Sequence, residues 1–382
     1  MQHIIAIDGA YSSPPCGEAG DEFKAMEMGF TFEGLSCPVP LPDATLDRIV
    51  LGHGSGGRLS HDLIRRVFLP NLSNPSLCAL NDGAVLALPD GDGRLVVCTD
   101  AHVVRPLFFP GGDIGRLAVC GTVNDLAMMG ARPLWLTAAF VLEEGLPIET
   151  LQRVVRSMQA AAAEAGVQVV AGDTKVVERG SADGLFITTA GVGWVPAGVE
   201  ISGANARAGD VVLISGTLGD HGIAVLSERE GLGFETELQS DVAPLHELVK
   251  AMLTAAPGAV HALRDPTRGG LATTLNEIAR QSGVAIEIEE RAIPLHPAVQ
   301  SACEMLGFDP LYVANEGKLV ACVAPEAAEI VLAAMRAHPY GRQAAAIGRV
   351  KEGPAGQVTL KTPIGGTRLL DMLAGEMLPR IC

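Results

Sequence analysis

Between residues 151 and 195 the hydrophobic pattern changes from the period of a helix to the period of a strand. The helical part ends at Gly166 and carries its apolar side chains on one face: Leu151, Val154, Val155, Met158, Ala162 and Ala165. An apolar run at 167–171 follows, and residues 184–195 then alternate as in a half-buried strand. Helices that alternate with strands form layered domains, so this pattern predicts an α/β domain.

The 382 residues are enough for two domains. Residues 196–209 are small and polar without a hydrophobic period, and a second set of apolar runs begins at 210–215. We therefore predict a first α/β domain at 45–200 and a second, α+β domain at 208–350. The Gly-, Pro- and Thr-rich segment 351–382 is predicted to be a mobile tail.

Composition argues against several classes of protein. The net charge of -16 disfavours nucleic acids and anionic membranes as partners, because both need a basic surface. No apolar run is long enough to span a bilayer, and residues 1–44 lack the features of a signal peptide. Those residues are rich in Gly, Pro and acidic side chains, which indicates a disordered extension or an upstream start codon. The eight cysteines include no C-x-x-C pair, as expected of a cytoplasmic protein with reduced thiols.

Four aspartates stand at or near the ends of predicted elements: Asp82, Asp100, Asp125 and Asp265. Mg²⁺ prefers carboxylate oxygens together with substrate phosphates, so these residues could form a nucleotide–metal site. An aspartate beside glycine is also ordinary turn chemistry, and for any one of them that explanation is the better one.

Two glycine-rich segments precede predicted helices, where bare amides and the helix dipole can hold phosphate. One is 52–57, which follows a predicted short strand at 47–51 and contains His53, and the other is Arg268-Gly269-Gly270. Neither is a Walker A loop, because no Gly-Lys-Ser/Thr is present. Lys175 and Glu316 are candidate acid/base groups near strand ends. By default such a lysine is a solvated charge, and an ordinary hairpin turn is the better explanation of Glu316 from the residues alone.

The chain ends in a cysteine, Cys382, behind a proline and an arginine. A chain end is seldom held in packing, so a core role is unfavourable, and a reactive thiol on a mobile arm is the alternative. Fully extended, residues 366–382 could reach about 50 Å.

Together these segments resemble the hydrogenase maturation factors of the HypE family, which are carbamoyl dehydratases related to aminoimidazole ribonucleotide synthetase and selenophosphate synthetase. The resemblance covers nearly everything from Asp47 to Cys382. It rests on the segments 52–57, 108–115, 121–130, 172–177, 219–222, 265–270 and 314–317 and on the terminal Pro379-Arg380-Ile381-Cys382. One departure is Asn81, where the family usually has a second acid before Asp82.

The resemblance implies a two-domain PurM-like ATP-binding fold in which the first domains of two chains pair into a dimeric β-barrel. The second domain would be a ferredoxin-like α+β sandwich, followed by the flexible tail. Implied partners are a HypF-like carbamoyltransferase, a HypC–HypD-like iron scaffold complex and a second copy of the chain. The implied reaction is ATP-dependent dehydration of a carbamoyl group on Cys382 to a thiocyanate, which supplies cyanide to the hydrogenase iron.

The resemblance also implies a role for each candidate residue. Asp82, Asp100 and Asp265 would hold Mg²⁺, and the catalytic groups would be Cys382, Glu316 and Lys175. The residues expected to bind ATP or its phosphates are His53, Gly54, Gly56, Asp125, Asp173, Thr174, Gly269 and Gly270. A selenophosphate-synthetase-like enzyme would explain the aspartates but not Cys382, and a non-catalytic thiol carrier would explain the reverse. A buried plug formed by Cys382 is a third alternative.

Overall fold

The structure is a computed structural model that describes residues 47–55, 57–231, 238–375, 378 and 381–382. The extension at 1–44 and Gly56 therefore lie outside the described residues. Within that part of the chain, no helix has both the length and the apolar character needed to cross a membrane.

The first domain begins with short helices, not with the strand predicted at 47–51. A 3₁₀ turn at Leu51–Gly54 leads to α1 (Arg58–Leu63), a π-helical turn (Ile64–Phe68), α2 (Leu69–Leu72) and α3 (Pro75–Cys78). The strand prediction is wrong because residues 47–51 make only an isolated bridge, between Arg48 and Pro147. The backbone then turns at His53, whose Nδ1 accepts a hydrogen bond from the Val50 amide at 3.0 Å.

A four-stranded sheet forms the centre of the first domain. The strands and helices that follow are β1 (Gly93–His102), β2 (Phe108–Phe109), β3 (Gly112–Asp113), α4 (Ile114–Met128), β4 (Arg132–Glu143), α5 (Ile148–Ala165), β5 (Gln168–Val177) and β6 (Leu185–Pro196). The sheet order is β1-β6-β4-β5, and only β4 and β5 are parallel, as the connection through α5 requires.

The two faces of this sheet differ in burial. On β6, residues 185, 187, 189, 191, 193 and 195 are buried on the side of α4, which packs against β1 and β6. The other face carries apolar side chains that stay accessible, among them Leu95 at 48% and Val97 at 70% exposure on β1. An apolar sheet face of this kind indicates an interaction surface.

Helix α4 brings the first domain's functional side chains together. Asp113 caps it by accepting hydrogen bonds from the amides of Gly115 and Arg116 at 2.8 and 3.1 Å. Gly121 lets the helix approach β1 closely, because a Cβ there would lie 2.9 Å from His102 Nε2 and 3.1 Å from Asp100 Oδ2. The small-residue face of α4 therefore places Asp125 near the C-terminal part of β1.

The second domain is built on a seven-stranded sheet with helices on both faces. Its elements are β7 (Val211–Ile214), α6 (Asp220–Glu230), α7 (His246–Ala255), β8 (Val260–Arg264), α8 (Gly270–Ser282), β9 (Ala285–Glu289), α9 (Pro297–Leu306), β10 (Val320–Val323), α10 (Ala328–Ala337), β11 (Ala345–Lys351), β12 (Val358–Lys361) and β13 (Thr367–Leu369). The order is β13-β12-β9-β11-β7-β10-β8. Strand β7 is buried on both faces, since Leu213 packs in the core with α7 and α10 while Ile214 packs in the core with α8.

The mobile tail predicted from residue 351 is wrong over its first part. Strand β12 pairs in parallel with β9, and β13 pairs with β12. Val358, Leu360 and Leu370 are each only 1% exposed in the core beside α8. The glycines and prolines of this segment form turns between two short strands, and short strands give little periodic signal.

Candidate active site

Four carboxylates from both domains meet where the domains face each other. Asp100 lies on β1, Asp125 on α4, Asp265 directly after β8, and Glu316 before β10. Burial, together with repulsion from Asp265 and Asp100, raises the pKa of Asp125 to about 7. Burial is also the main cause that raises the pKa of Asp265 to about 6. These coupled acids make the site one that favours a bound cation.

Asp100 differs from its neighbours. Burial opposes its ionisation, but His102 and the Ala101 amide outweigh burial and hold its pKa below the usual value. His102 Nε2 lies 3.2 Å from Asp100 Oδ2, and the Ala101 amide donates to Oδ1 at 2.8 Å. Of the four carboxyls, Asp100 is therefore the one that ionises most readily.

The carboxylates fit a hard cation in donor type, but they are not arranged as a finished metal site. Among the described residues, no group of three His, Cys, Asp or Glu side chains lies close enough to hold a metal ion. Asp82, the third predicted metal ligand, lines a separate cavity of the first domain. Of the predicted site residues, the structure places Asp100, Asp125 and Asp265 close enough for their charges to interact.

That cavity has a volume of about 480 Å³ and lies between α1–α3 and β5. Besides Asp82, it is lined by His53, Gly54, Asp173, Thr174 and Lys175. Strand β5 extends to Val177, so residues 173–175 belong to the strand and do not follow its end. Lys175 Nζ donates to both carboxylate oxygens of Asp173, at 3.0 and 2.8 Å, and lowers the pKa of that carboxyl.

The glycine-rich loop before α1 is packed against this strand. A Cβ on Gly54 would lie 2.5 Å from the Val176 amide nitrogen, so close backbone packing requires a glycine. Burial lowers the pKa of His53, which is 3% exposed and keeps a neutral imidazole. Packing against β5 therefore fixes the main chain of this loop where it lines the cavity.

The second glycine pair begins α8. Gly269 and Gly270 have φ angles of +77° and +60°, and a Cβ on Gly270 would lie 2.6 Å from the Leu311 carbonyl oxygen. Asn315 holds the neighbouring loops together, because it accepts from the Gly219 amide at 2.7 Å and donates to the Pro266 carbonyl at 2.8 Å. These two hydrogen bonds hold in place the loops that carry Glu316 and Asp265.

Glu316 is buried in a set of contacts that join the two domains. Its amide donates to Asp241 Oδ1 at 3.0 Å, and its carbonyl accepts from Asn124 of α4 at 3.2 Å. Lys318 Nζ lies 3.2 Å from the other oxygen of Asp241. Glu316 Oε1 is buried without a hydrogen-bond partner among the described residues, and burial with acidic neighbours raises its pKa well above the usual value.

The sequence analysis did not single out Asp241 or Lys318. Asp241 belongs to residues 238–245, an irregular segment that has no hydrophobic period. A Cβ on Gly317 would lie 1.8 Å from the Asp241 carbonyl oxygen, so Gly317 is what lets this segment pass beside Glu316. In the sequence, Gly317 was the only sign of this close packing, and it stood in a motif that was interpreted as a turn.

The C-terminal cysteine lies at the same place. The Val103 amide donates to the Cys382 carbonyl at 2.9 Å, and Ile381 forms a bridge with Val104. Cys382 is half-buried, and burial, followed by the charge of Glu316, raises the pKa of its thiol. The structure thus brings Cys382 and Glu316 together, whereas Lys175 lies in the first-domain cavity paired with Asp173.

Comparison with known proteins identifies the family. Models of AIR synthase related proteins match twice, the N-terminal domain at 80–195 and the C-terminal domain at 207–361. The carbamoyl dehydratase HypE of Cupriavidus necator is 59% identical over 335 residues, which are 88% of this chain and 95% of that protein. This chain belongs to the HypE family.

Solved HypE structures agree with this assignment. A HypE in complex with ATP superposes with a TM-score of 0.83 at 52% identity, covering 87% of this chain and 99% of that one. The HypE chain of a HypE–HypF complex gives 0.71 at 49% identity, covering 83% and 100%. The resemblance to HypE drawn from the sequence is confirmed, as is the two-domain fold of AIR synthase related proteins.

Proposed function

We propose that this chain is the carbamoyl dehydratase of hydrogenase maturation that converts a carbamoyl group on Cys382 into a thiocyanate at the expense of ATP. The thiocyanate supplies the cyanide ligands of the [NiFe]-hydrogenase iron. The observation that carries the proposal is the position of Cys382, which reaches back to Glu316 and the acidic cluster in a chain of the HypE family.

The proposed dehydration has two steps. The oxygen of the thiocarbamate R–S–C(=O)–NH₂ attacks the γ-phosphorus of ATP, ADP leaves, and one nitrogen proton is lost, which gives R–S–C(OPO₃²⁻)=NH. Loss of the second nitrogen proton then forms the C≡N bond as phosphate departs, leaving R–S–C≡N. Phosphorylation turns a poor leaving group into a good one, so the protein must position groups and take up two protons.

Glu316 is the proposed base for the nitrogen protons. Its Oε1 has no hydrogen-bond partner among the described residues, and its charge acts on the docked Cys382. Because the raised pKa favours the protonated carboxyl, Glu316 would accept a proton only after a bound cation has lowered that pKa. Asp100, Asp125 and Asp265 would hold Mg²⁺ together with nucleotide phosphates. The charge of the ion would stabilise the transferring phosphoryl group, and it would oppose the burial and the repulsion that raise the pKa of Glu316. Asp82 would join this site from the first-domain cavity once nucleotide phosphates supply the remaining ligands.

ATP is proposed to bind along the first-domain cavity with its phosphates toward the acidic cluster. His53, Gly54, Asp173 and Thr174 line that cavity, and Lys175 would release Asp173 to pair with phosphate oxygens. From the second domain, Gly269 and Gly270 before α8 would also contact the phosphates. The Gly270 amide already donates to the Thr267 carbonyl at 2.9 Å, so the Gly269 amide is the proposed donor of this pair. A solved HypE in complex with ATP supports ATP as the ligand.

The arm that carries Cys382 has to leave this position to be loaded. A half-buried thiol with a raised pKa is a poor acceptor for a carbamoyl group brought by another protein. We propose that a HypF-like carbamoyltransferase loads the undocked arm and that a HypC–HypD-like iron scaffold receives the cyanide. The solved HypE–HypF complex supports the first of these partners.

The assembly is proposed to be a homodimer. The accessible apolar face of the first sheet, with Leu95 and Val97, would pair with its copy into a shared barrel. The second domain is proposed to be a ferredoxin-like sandwich extended by β12 and β13.

Intact-mass spectrometry tests the function. The full chain is incubated with a HypF-type carbamoyltransferase, its substrates and ATP, beside the variants Cys382→Ala and Cys303→Ala. We expect one carbamoyl group on the parent and on Cys303→Ala, then loss of one water that requires ATP, and no adduct on Cys382→Ala. A carbamoyl adduct that stays intact with ATP would favour a passive carrier, and an unmodified parent chain would overturn both.

A further inference from the structure

The docked arm is held by a histidine that the reaction described above leaves without a role. His221, near the start of α6, is fully buried, and its Nε2 lies 2.5 Å from the carbonyl oxygen of Ile381. Its Nδ1 lies 2.8 Å from Ser240 Oγ, and its ring meets Phe109 edge-on at 5.4 Å between ring centroids. These contacts leave the imidazole one orientation.

The hydrogen bonds also assign the tautomer. A carbonyl oxygen can only accept, so His221 must carry its proton on Nε2 and donate it to Ile381. Nδ1 then accepts the hydroxyl proton of Ser240, whose oxygen in turn accepts from the Val242 amide at 3.2 Å. Burial lowers the pKa of His221, in agreement with a neutral ring.

The arm is gripped from both domains. On the first domain, Val103 and Val104 bond to the last two residues as a short β-bridge. On the second domain, His221 holds the carbonyl of Ile381. Leu378 packs close to Gly222, because a Cβ on Gly222 would lie 3.3 Å from a methyl carbon of Leu378. The adjacent residue Asp241 holds the Glu316 amide, so neighbouring positions of one segment orient both the arm and the proposed base.

We propose that His221, oriented by Ser240, is a positioning residue that clamps the terminal dipeptide and thereby presents Cys382 to Glu316. The clamp acts on the main chain of the arm, so it grips an empty, a carbamoylated and a cyanated cysteine alike. Without it, Cys382 remains able to be loaded but spends less time beside Glu316. The inference rests on the proposed function for its consequence in catalysis, although docking itself does not depend on it.

Alkylation of Cys382 by iodoacetamide measures docking without ATP or carbamoyl chemistry. Mass spectrometry of the C-terminal peptide gives the rate for the full chain and for His221→Ala, His221→Gln, Ser240→Ala and His261→Ala. His261 is the matched control, since it is a buried histidine of the same domain that bonds Asp210 at 2.9 Å away from the arm. Buried Cys322 in the same digest reports whether each variant is folded.

Losing one hydrogen bond shifts the docked population, so we expect Cys382 alkylation to rise about five- to tenfold in His221→Ala. Ser240→Ala should rise less, because the ring keeps its bond to Ile381, and His221→Gln should restore part of the protection through its amide donor. His261→Ala should match the parent. Parent-like protection of Cys382 in both His221→Ala and Ser240→Ala would overturn the proposal.

If Cys322 becomes reactive in His221→Ala, that variant is unfolded and Ser240→Ala decides: parent-like protection of Cys382 in Ser240→Ala would then overturn the proposal. In the carbamoylation assay, His221→Ala should load Cys382 at least as fast as the parent, because the undocked arm is the form that is loaded, but should form thiocyanate more slowly. A parent chain that loads but never dehydrates would refute the proposed function while leaving the alkylation result standing.

Discussion

Glu316 illustrates how one side chain obtains its chemistry from neighbours far away in the chain. Its backbone is fixed by Asp241 and Asn124, and the Oε1 atom of its carboxyl is left buried without a hydrogen bond among the described residues. Burial and the acidic neighbours favour the protonated form of this carboxyl, so a bound cation has to lower its pKa before it can take up a substrate proton.

Replacing Glu316 by Gln should separate loading from dehydration. Cys382 should still accept carbamoyl at the parent rate, and thiocyanate formation should fall at least about 100-fold, because a positioned base is removed. Quenched-flow sampling with intact-mass detection measures both rates. Glu326→Gln, an exposed change before α10, serves as control. Parent-like dehydration in Glu316→Gln would remove Glu316 from the mechanism.

Replacing Asp125 should raise the stability of the fold at high pH while it removes a proposed Mg²⁺ ligand. Its pKa in the fold is raised from 3.8 to about 7, so folding favours the protonated form, and stability falls as pH rises from about 4 to 7. Asp125→Asn removes this cost, so we expect it to stabilise the fold at pH 8 by on the order of 1–4 kcal/mol and hardly at all near pH 4.

Chemical denaturation in EDTA at pH 8 and at pH 4.5 checks the prediction for Asp125. The same variant should lose the stabilisation that Mg²⁺ with ATP gives the parent, because one oxygen donor is gone. Equal gains in stability at the two pH values would contradict the electrostatic explanation.

At the scale of elements, periodic segments were predictable and packed irregular ones were not. The helix that ends at Gly166 and the strand at 184–195 followed from their hydrophobic periods, and the structure confirms them as α5 and β6. The extension of β5 through Asp173 and the strands β12 and β13 did not follow, because their apolar signal is short. His221, Ser240 and Asp241 act through contacts between segments far apart in the chain, such as the 160 residues between His221 and Ile381, and no local pattern encodes such contacts.

Two truncations should distinguish the sheet from the arm. Ending the chain after Lys351 removes β12 and β13 with buried Val358, Leu360 and Leu370, at a cost of about 1.5–3 kcal/mol for each side chain. Ending it after Leu373 removes only the arm. We expect circular dichroism to show a large fall in Tm for the first truncation and a change of a few degrees for the second. A large fall in the second would support a plug formed by Cys382.

Across the whole molecule, the acidic cluster depends on how the two domains meet. Arg116 of α4 pairs with Glu164 of α5 at 2.7 Å and donates to the Val242 carbonyl, and Tyr340 hydrogen bonds to the same glutamate. Asn124 accepts from the Leu245 amide at 2.8 Å. These bonds fix the first domain's Asp100 and Asp125 relative to Asp265 and Glu316.

Placing a charge on the open sheet face tests the dimer. Val97→Lys would bury an ammonium group in the proposed barrel, so we expect sedimentation velocity to show monomers where the parent forms dimers. Ile330→Lys is the control, because it makes the same kind of change on α10. Ile330 is 56% exposed and lies far along the chain from that sheet face. A dimer that survives Val97→Lys would place the interface elsewhere.

The arm docked through His221 and Val103 also sets how the reaction rate responds to conditions. The reacting group is covalently attached and returns to its own cleft, so it is presented at an effective concentration in the millimolar range, whatever the amount of protein in the cell. Dilution cannot slow such a step, and a free thiocarbamate cannot easily compete for it. Throughput is then governed by how often the arm opens to its partners, which makes residence time in the cleft the quantity on which selection can act.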